Sequence, residues 1–131
     1  MLLAIQAHPG ASIRDIATMF GLSHSGAVRV VDRLEAANDV ARAVGADRRN
    51  VALHLTEQGR ARARQLLRAQ MSLIDQRLAS LSQRDASRLA GILEQLLDGA
   101  AQDRLQAWRL CRNCDHGVCR GDRCAVGRSV Q

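Results

Sequence analysis

Apolar residues recur at helical spacing through most of the chain and alternate over one short stretch. Leu2–Ala7 reads as the end of a helix, closed by the breaker pair Pro9-Gly10. Ser12 then caps a helix, and Asp15 three residues later completes a capping box. Ile13, Ile16, Ala17 and Phe20 share one face of it. Gly21 breaks the pattern, and Ser23 caps a further helix running to about Ala37. Its expected buried stripe is Val28, Val31 and Leu34, with Val30 beside them. Helix, short Gly-containing turn and helix make a helix-turn-helix.

Two β-branched, apolar-rich stretches follow, Asp39–Val44 and Asn50–Leu55, joined by Gly45-Ala46-Asp47-Arg48-Arg49. In the second, Val51, Leu53 and Leu55 fall on one face, and Ala52 and His54 on the other, which predicts a hairpin. Thr56 caps a long helix to about Leu81, in which Leu67, Met71, Ile74, Leu78 and Leu81 form a seam for another helix. Ser82 with Asp85 makes a second capping box, opening a helix marked by Leu89, Ile92, Leu93, Leu96 and Leu97. That helix is expected to continue, kinked near Gly99, as far as Trp108. After Leu110 the composition turns abruptly to Cys, Gly, Asp and Arg, and no internal repeat is present. The pattern divides the chain into a winged helix-turn-helix over 1–59, a helical dimerisation region over 60–110 and a Cys-rich tail over 111–131.

Composition supports a mainly α fold, with 47% apolar residues but only 2% aromatic, so that Ala and Leu fill the core. All basic residues are Arg, and the net charge is +6. A basic balance suits a polyanionic partner through phosphate neutralisation, although Arg-rich codon usage gives the same charge. Residues 1–60 hold seven Arg against six acids, and residues 61–131 twelve against seven. A DNA footprint in the first half therefore depends on where Arg side chains point. Nothing resembles a phosphate-binding Gly loop or a nucleophile–base grouping, and His8, His24, His54 and His116 show no catalytic pairing, so an enzyme is not expected. Met1–Ala7 lacks the basic lead of a signal peptide, and no run approaches the ~18 apolar residues that span a bilayer. The expected location is the cytoplasm, where thiols stay reduced.

The second helix of a helix-turn-helix enters the DNA major groove. With its apolar stripe buried, this one presents His24, Ser25, Arg29 and Arg33, with Ser23 at its start. Arg can pair with guanine bidentately or hold a phosphate. At the hairpin tip Arg48 and Arg49 are placed to enter a narrow minor groove, and Asp47 to brace an Arg. An Arg pair at a turn is more often a solvated loop; the helix-turn-helix ahead of it favours a wing. Gly26 is out of place inside a helix unless something approaches closely there.

The order HPGASIRDIATMFGLSHSGAVRVVDRLEAAN, then DVARAVGADRRNVALHLTEQGR, resembles the MarR family of bacterial regulators over roughly residues 1–98. The most specific element is Asp47-Arg48-Arg49 followed by Leu55-Thr56-x-x-Gly59, similar to the family's D-x-R wing and LT-x-x-G. The resemblance implies a two-fold dimer on pseudo-palindromic operators, contacts from Ser25, Arg29, Arg33 and Arg49, and usually repression relieved by a small molecule or an oxidant. Two features depart from it. The family's further helix ahead of Met1 is missing, which puts dimerisation on the long helices and leaves a ligand pocket in doubt. Asn38-Asp39-Val40 stands where Gly-Leu-Val is common, which predicts looser packing there.

Cys111, Cys114, Cys119 and Cys124 are spaced C-x2-C-x4-C-x4-C, with Gly117 and Gly121 between them. Four thiolates so close in sequence can wrap a tetrahedral zinc ion, as in a zinc knuckle with Cys in place of His. A redox switch and an iron–sulfur cluster use the same residues. The reading is a dimeric regulator with a structural or sensory zinc/thiol tail. Its alternatives are a truncated winged-helix module forming mixed dimers, or a redox-sensing regulator.

Overall fold

The computed structural model describes residues 1–44, 51–114, 119 and 124–128. They fall into two compact units, Met1–Leu66 and Leu67–Gln131. The elements are α1 (Leu2–Ala7), α2 (Ile13–Phe20), α3 (His24–Ala36), β1 (Val40–Val44), β2 (Val51–Leu55), α4 (Glu57–Leu78), α5 (Gln83–Leu97), α6 (Arg104–Cys111) and α7 (Ala125–Arg128). The unit boundary falls inside α4.

In the first unit Ile5 of α1, Ile16 and Met19 of α2, Val31 of α3, Val40 of β1 and Leu53 of β2 are almost wholly buried. The buried face of α2 includes Met19, and that of α3 centres on Ala27 and Val31; Val28, Val30 and Leu34 are only half-buried. Strands β1 and β2 pair antiparallel, from Val40 opposite Leu55 to Val44 opposite Val51. The expected alternation of β2 is broken, because Ala52 is buried as well as Leu53 and Leu55. A third segment pairs with the strand's other edge. The Gly10 N–H donates to the Leu53 carbonyl (2.9 Å), the Leu53 N–H donates to the Ala11 carbonyl (3.0 Å), and Ser12 bridges Ala52. The far edge of β2 is thereby paired.

The expected looseness at Asn38-Asp39-Val40 is not found. Asn38 adopts φ 56°, a left-handed conformation that Asn tolerates better than most residues. Asp39 is 1% exposed, its carboxylate paired with Arg62 at 2.5 Å. The Thr56 hydroxyl donates to the Asn38 carbonyl (2.6 Å) and accepts from the Gly59 N–H (2.9 Å), capping α4 and tying it to this turn. A Cβ on Gly59 would lie 1.9 Å from the Asp39 carbonyl oxygen, so no other residue fits without moving the backbone. The Leu-Thr-x-x-Gly motif is thus a docking device, in which Thr caps the helix and Gly lets it approach the strand.

In the second unit, α5 starts at Ser82, whose side chain accepts from the Asp85 N–H (3.1 Å). The expected continuation to Trp108 does not occur. Helix α5 stops at Leu97, Gly99 turns at φ 72°, and Asp103 caps a new helix by accepting from the Gln106 N–H (2.7 Å). Left-handed Gly and a fresh cap together outweigh the apolar periodicity carried through this stretch. Ala101, Ala107 and Val126 form a small core, with Cys111 and Cys124 packed against it. The Arg104 guanidinium lies 5.5 Å from the Trp108 ring centre.

Candidate nucleic-acid interface

Helix α2 begins with a complete capping box. The Ser12 side chain accepts from the Asp15 N–H (3.1 Å), and the Asp15 carboxylate accepts from the Ser12 N–H (2.8 Å). The helix ends at left-handed Gly21, and three residues later α3 departs from its own cap, Ser23, whose oxygen accepts from the Gly26 N–H (3.1 Å). Gly26 also clears the cap: a Cβ there would meet the Ser23 oxygen at 3.1 Å. The odd glycine therefore serves the turn of the helix-turn-helix itself.

Ser23, His24, Ser25, Arg29 and Arg33 are all exposed. Ser23 and Ser25 hydroxyls lie 3.3 Å apart, and Ser23 is first a cap, with only its O–H left to donate outward. Among the described residues neither Arg29 nor Arg33 has an acidic partner. The acids of the same helix are engaged elsewhere: Arg42 of β1 pairs with Asp32 and, at 3.1 Å, with Glu35. Arg42 thus ties the hairpin to α3 and partly offsets two negative charges on it. Sequence reading missed this role, because the pair forms between elements whose packing periodicity does not specify. It also passed over Arg14, which borders an open depression lined with Ala17, Thr18, Leu22 and His24.

Burial falls away along the hairpin. Val40 and Leu55 at its base are buried, whereas Val44 and Val51 at the far end are 77% and 42% exposed. Apolar side chains leaving the core in register mark a projecting wing. Asp47, Arg48 and Arg49, expected at its tip, lie outside the described residues.

The four cysteines belong to the second unit and form no disulfide. Cys111 is the last residue of α6, and the Cys114 N–H donates to its carbonyl (3.0 Å), forming a tight turn. Cys124 immediately precedes α7. Side-chain hydrogen bonds pair Cys111 with Cys114 and Cys119 with Cys124. Burial, then the neighbouring thiols, pushes Cys111 up to about 11, and burial likewise raises Cys114 and Cys119. Such thiols are protonated at neutral pH, unlike an activated nucleophile. Among the described residues no group of three or more His, Cys, Asp or Glu is arranged to hold a metal ion as it stands.

An exposed second helix, a capped turn and a projecting hairpin define a winged helix-turn-helix. Residues 1–50 match the sequence model of the MarR family. It is similar in structure to FabT of Streptococcus pneumoniae, solved in complex with DNA, with a TM-score of 0.63 and 21% identity over 72% of this chain and 67% of that one. It is also similar to a MarR transcriptional regulator from Methanosarcina mazei Go1, with a TM-score of 0.62 and 17% identity over 76% of this chain and 72% of that one. The PcaV transcriptional regulator of Streptomyces coelicolor gives a TM-score of 0.56 and 26% identity over 76% of this chain and 74% of that one. No curated protein matches the chain significantly. Among the described residues no helix is long and apolar enough to cross a membrane.

Proposed function

We propose that the chain is a transcriptional regulator that binds duplex DNA as a dimer, reading the major groove with α3 and the minor groove with the wing. The observation that carries this is the exposed Arg29 and Arg33, without an acidic partner among the described residues, on the second helix of a MarR-type winged helix. Likeness to a regulator solved on DNA supports it.

Dimerisation follows from what the second unit leaves uncovered. Among the described residues, α5 buries none of its 15 residues, and α4 buries only Gly59 and Ala63. Met71, Ile74 and Leu78 of α4 and Ile92, Leu93 and Leu96 of α5 are 40–69% exposed. Apolar side chains at helical spacing on two long helices need a cover, and a second copy supplies the same surface. A dimer then places two α3 helices on half-sites about one helical turn, ~34 Å, apart. Repression is the mode of action proposed, through occupancy of an operator. The cavity between α1 and β2, lined by Ile5, Gln6, Pro9, His54, Leu55 and Arg60, holds about 110 Å³. That is small beside the ~300–1,000 Å³ of typical ligand pockets. It gives no support to a small-molecule effector within the first unit.

Selection of operators from a random duplex pool, followed by anisotropy titration at two salt concentrations, tests the reading. Specific binding with a steep salt dependence, and its loss in Arg33→Ala, supports it. Arg29→Ala and Arg33→Ala variants that bind as tightly as the parent would overturn it.

A further inference from the structure

We propose that Cys111, Cys114, Cys119 and Cys124 bind a single zinc ion through four thiolates, and that this ion closes the α6–α7 module. The first ligand pair is set by local structure. Cys111 ends α6, and the turn sealed by the Cys114 N–H brings the second sulfur back beside the first. The second pair is set by packing, since Cys124 stands at the start of α7 and rests on the same Ala101, Ala107 and Val126 cluster as Cys111. Helices α6 and α7 therefore carry one ligand pair each to a common place, although the chain between them supplies no other described element.

The described core beneath these cysteines is small. Two alanines and one valine form it, with Ala125 also buried and α7 packing on α5 as well as α6. Little described apolar surface therefore holds helices of eight and four residues. Small modules of this kind are held by disulfides or a metal, and here the four sulfurs are thiols. A soft, all-sulfur set of four matches tetrahedral zinc with Zn–S bonds of about 2.3 Å. Each thiol passes its proton to solvent as its bond to zinc forms, and no electron is transferred. Four thiolates leave no position for water, so the ion is structural rather than catalytic. As described, the thiols are joined two by two, and coordination requires the two pairs to draw together around the ion.

The test uses the full chain, purified under reducing conditions without chelator. Native mass spectrometry should find one zinc per chain, and cobalt exchanged for zinc should give the intense visible bands of a tetrahedral thiolate site. Cys111→Ser and Cys119→Ser, one from each pair, should each lose stoichiometric zinc, while exposed Asn113→Ala retains it. Cobalt spectra of the unaltered chain, bleached by added zinc, do not depend on whether a Cys variant folds. A reduced chain that takes up neither zinc nor cobalt would overturn the proposal. So would a brown iron–sulfur chromophore in place of zinc, or a Cys119→Ser variant with an unchanged cobalt spectrum. None of these readouts depends on DNA binding.

Discussion

Arg29 and Arg33 have no acidic partner among the described residues, so no described carboxylate would compete with a phosphate or base for them. Replacing Arg33 with Ala should weaken operator binding by about 1–3 kcal/mol if it grips a guanine. A loss nearly equal on all sequences, with a shallower salt slope, would assign it to phosphate instead. Gly59 is equally specific for a steric reason. Gly59→Ala sets a methyl against the Asp39 carbonyl and should lower unfolding free energy by about 1–3 kcal/mol or more, as read by urea denaturation. Asp39 makes a second stability case. Removing Arg62 leaves a carboxylate that is almost fully buried, but Arg62 itself is half exposed, which tempers the loss to about 1–2 kcal/mol. In Arg62→Ala combined with Asp39→Leu the unpaired charge is gone, so stability should return towards that of the parent.

At the scale of elements, α3, the proposed reading helix, is held by contacts that are not themselves readout. Ser23 caps its start, and Arg42 pins its acidic flank to β1. Ser23→Ala should cost roughly 1 kcal/mol of stability through the lost cap, and it should weaken DNA binding less than Arg33→Ala does. If Ser23→Ala instead abolished operator binding in a still-folded protein, its hydroxyl would be a DNA contact before it is a cap. Arg42→Ala frees Asp32 and Glu35 on the helix proposed to face DNA. Affinity should fall even though Arg42 touches no DNA, and most at low salt, where repulsion is least screened.

For the whole molecule, the proposed dimer rests on the second unit. Its long helices carry apolar residues outward, and among the described residues its buried side chains are Ala101, Ala107, Ala125 and Val126. Leu93→Asp or Ile74→Asp should shift sedimentation from dimer to monomer. Operator affinity should fall with it, because a single winged helix holds only half of a two-fold site. A Leu93→Asp protein that remains dimeric would place the interface elsewhere. A parent that sediments as a monomer yet binds an unidentified protein partner would favour a mixed-dimer module.

Local chemistry explains what could be read in advance. Capping boxes, the left-handed Gly21, the hairpin pattern and the Leu-Thr-x-x-Gly motif are written in neighbouring residues, so the winged helix-turn-helix and its exposed Ser25, Arg29 and Arg33 were legible in sequence. The cysteine spacing was legible for the same reason, since a turn joins Cys111 to Cys114 over three residues. What sequence left open depends on contacts between elements. The pairing of residues 10–12 with β2 is too short to show a period and is carried by backbone hydrogen bonds alone. Burial of Asp39, paired with the half-exposed Arg62, runs against its polarity and is fixed by the approach of α4 to the strand that Gly59 permits. The break between α5 and α6 turned on one left-handed glycine outweighing an apolar repeat. Sequence determines structure directly where the interacting groups are a turn apart. Where they meet across the chain, tertiary packing selects among several locally acceptable answers.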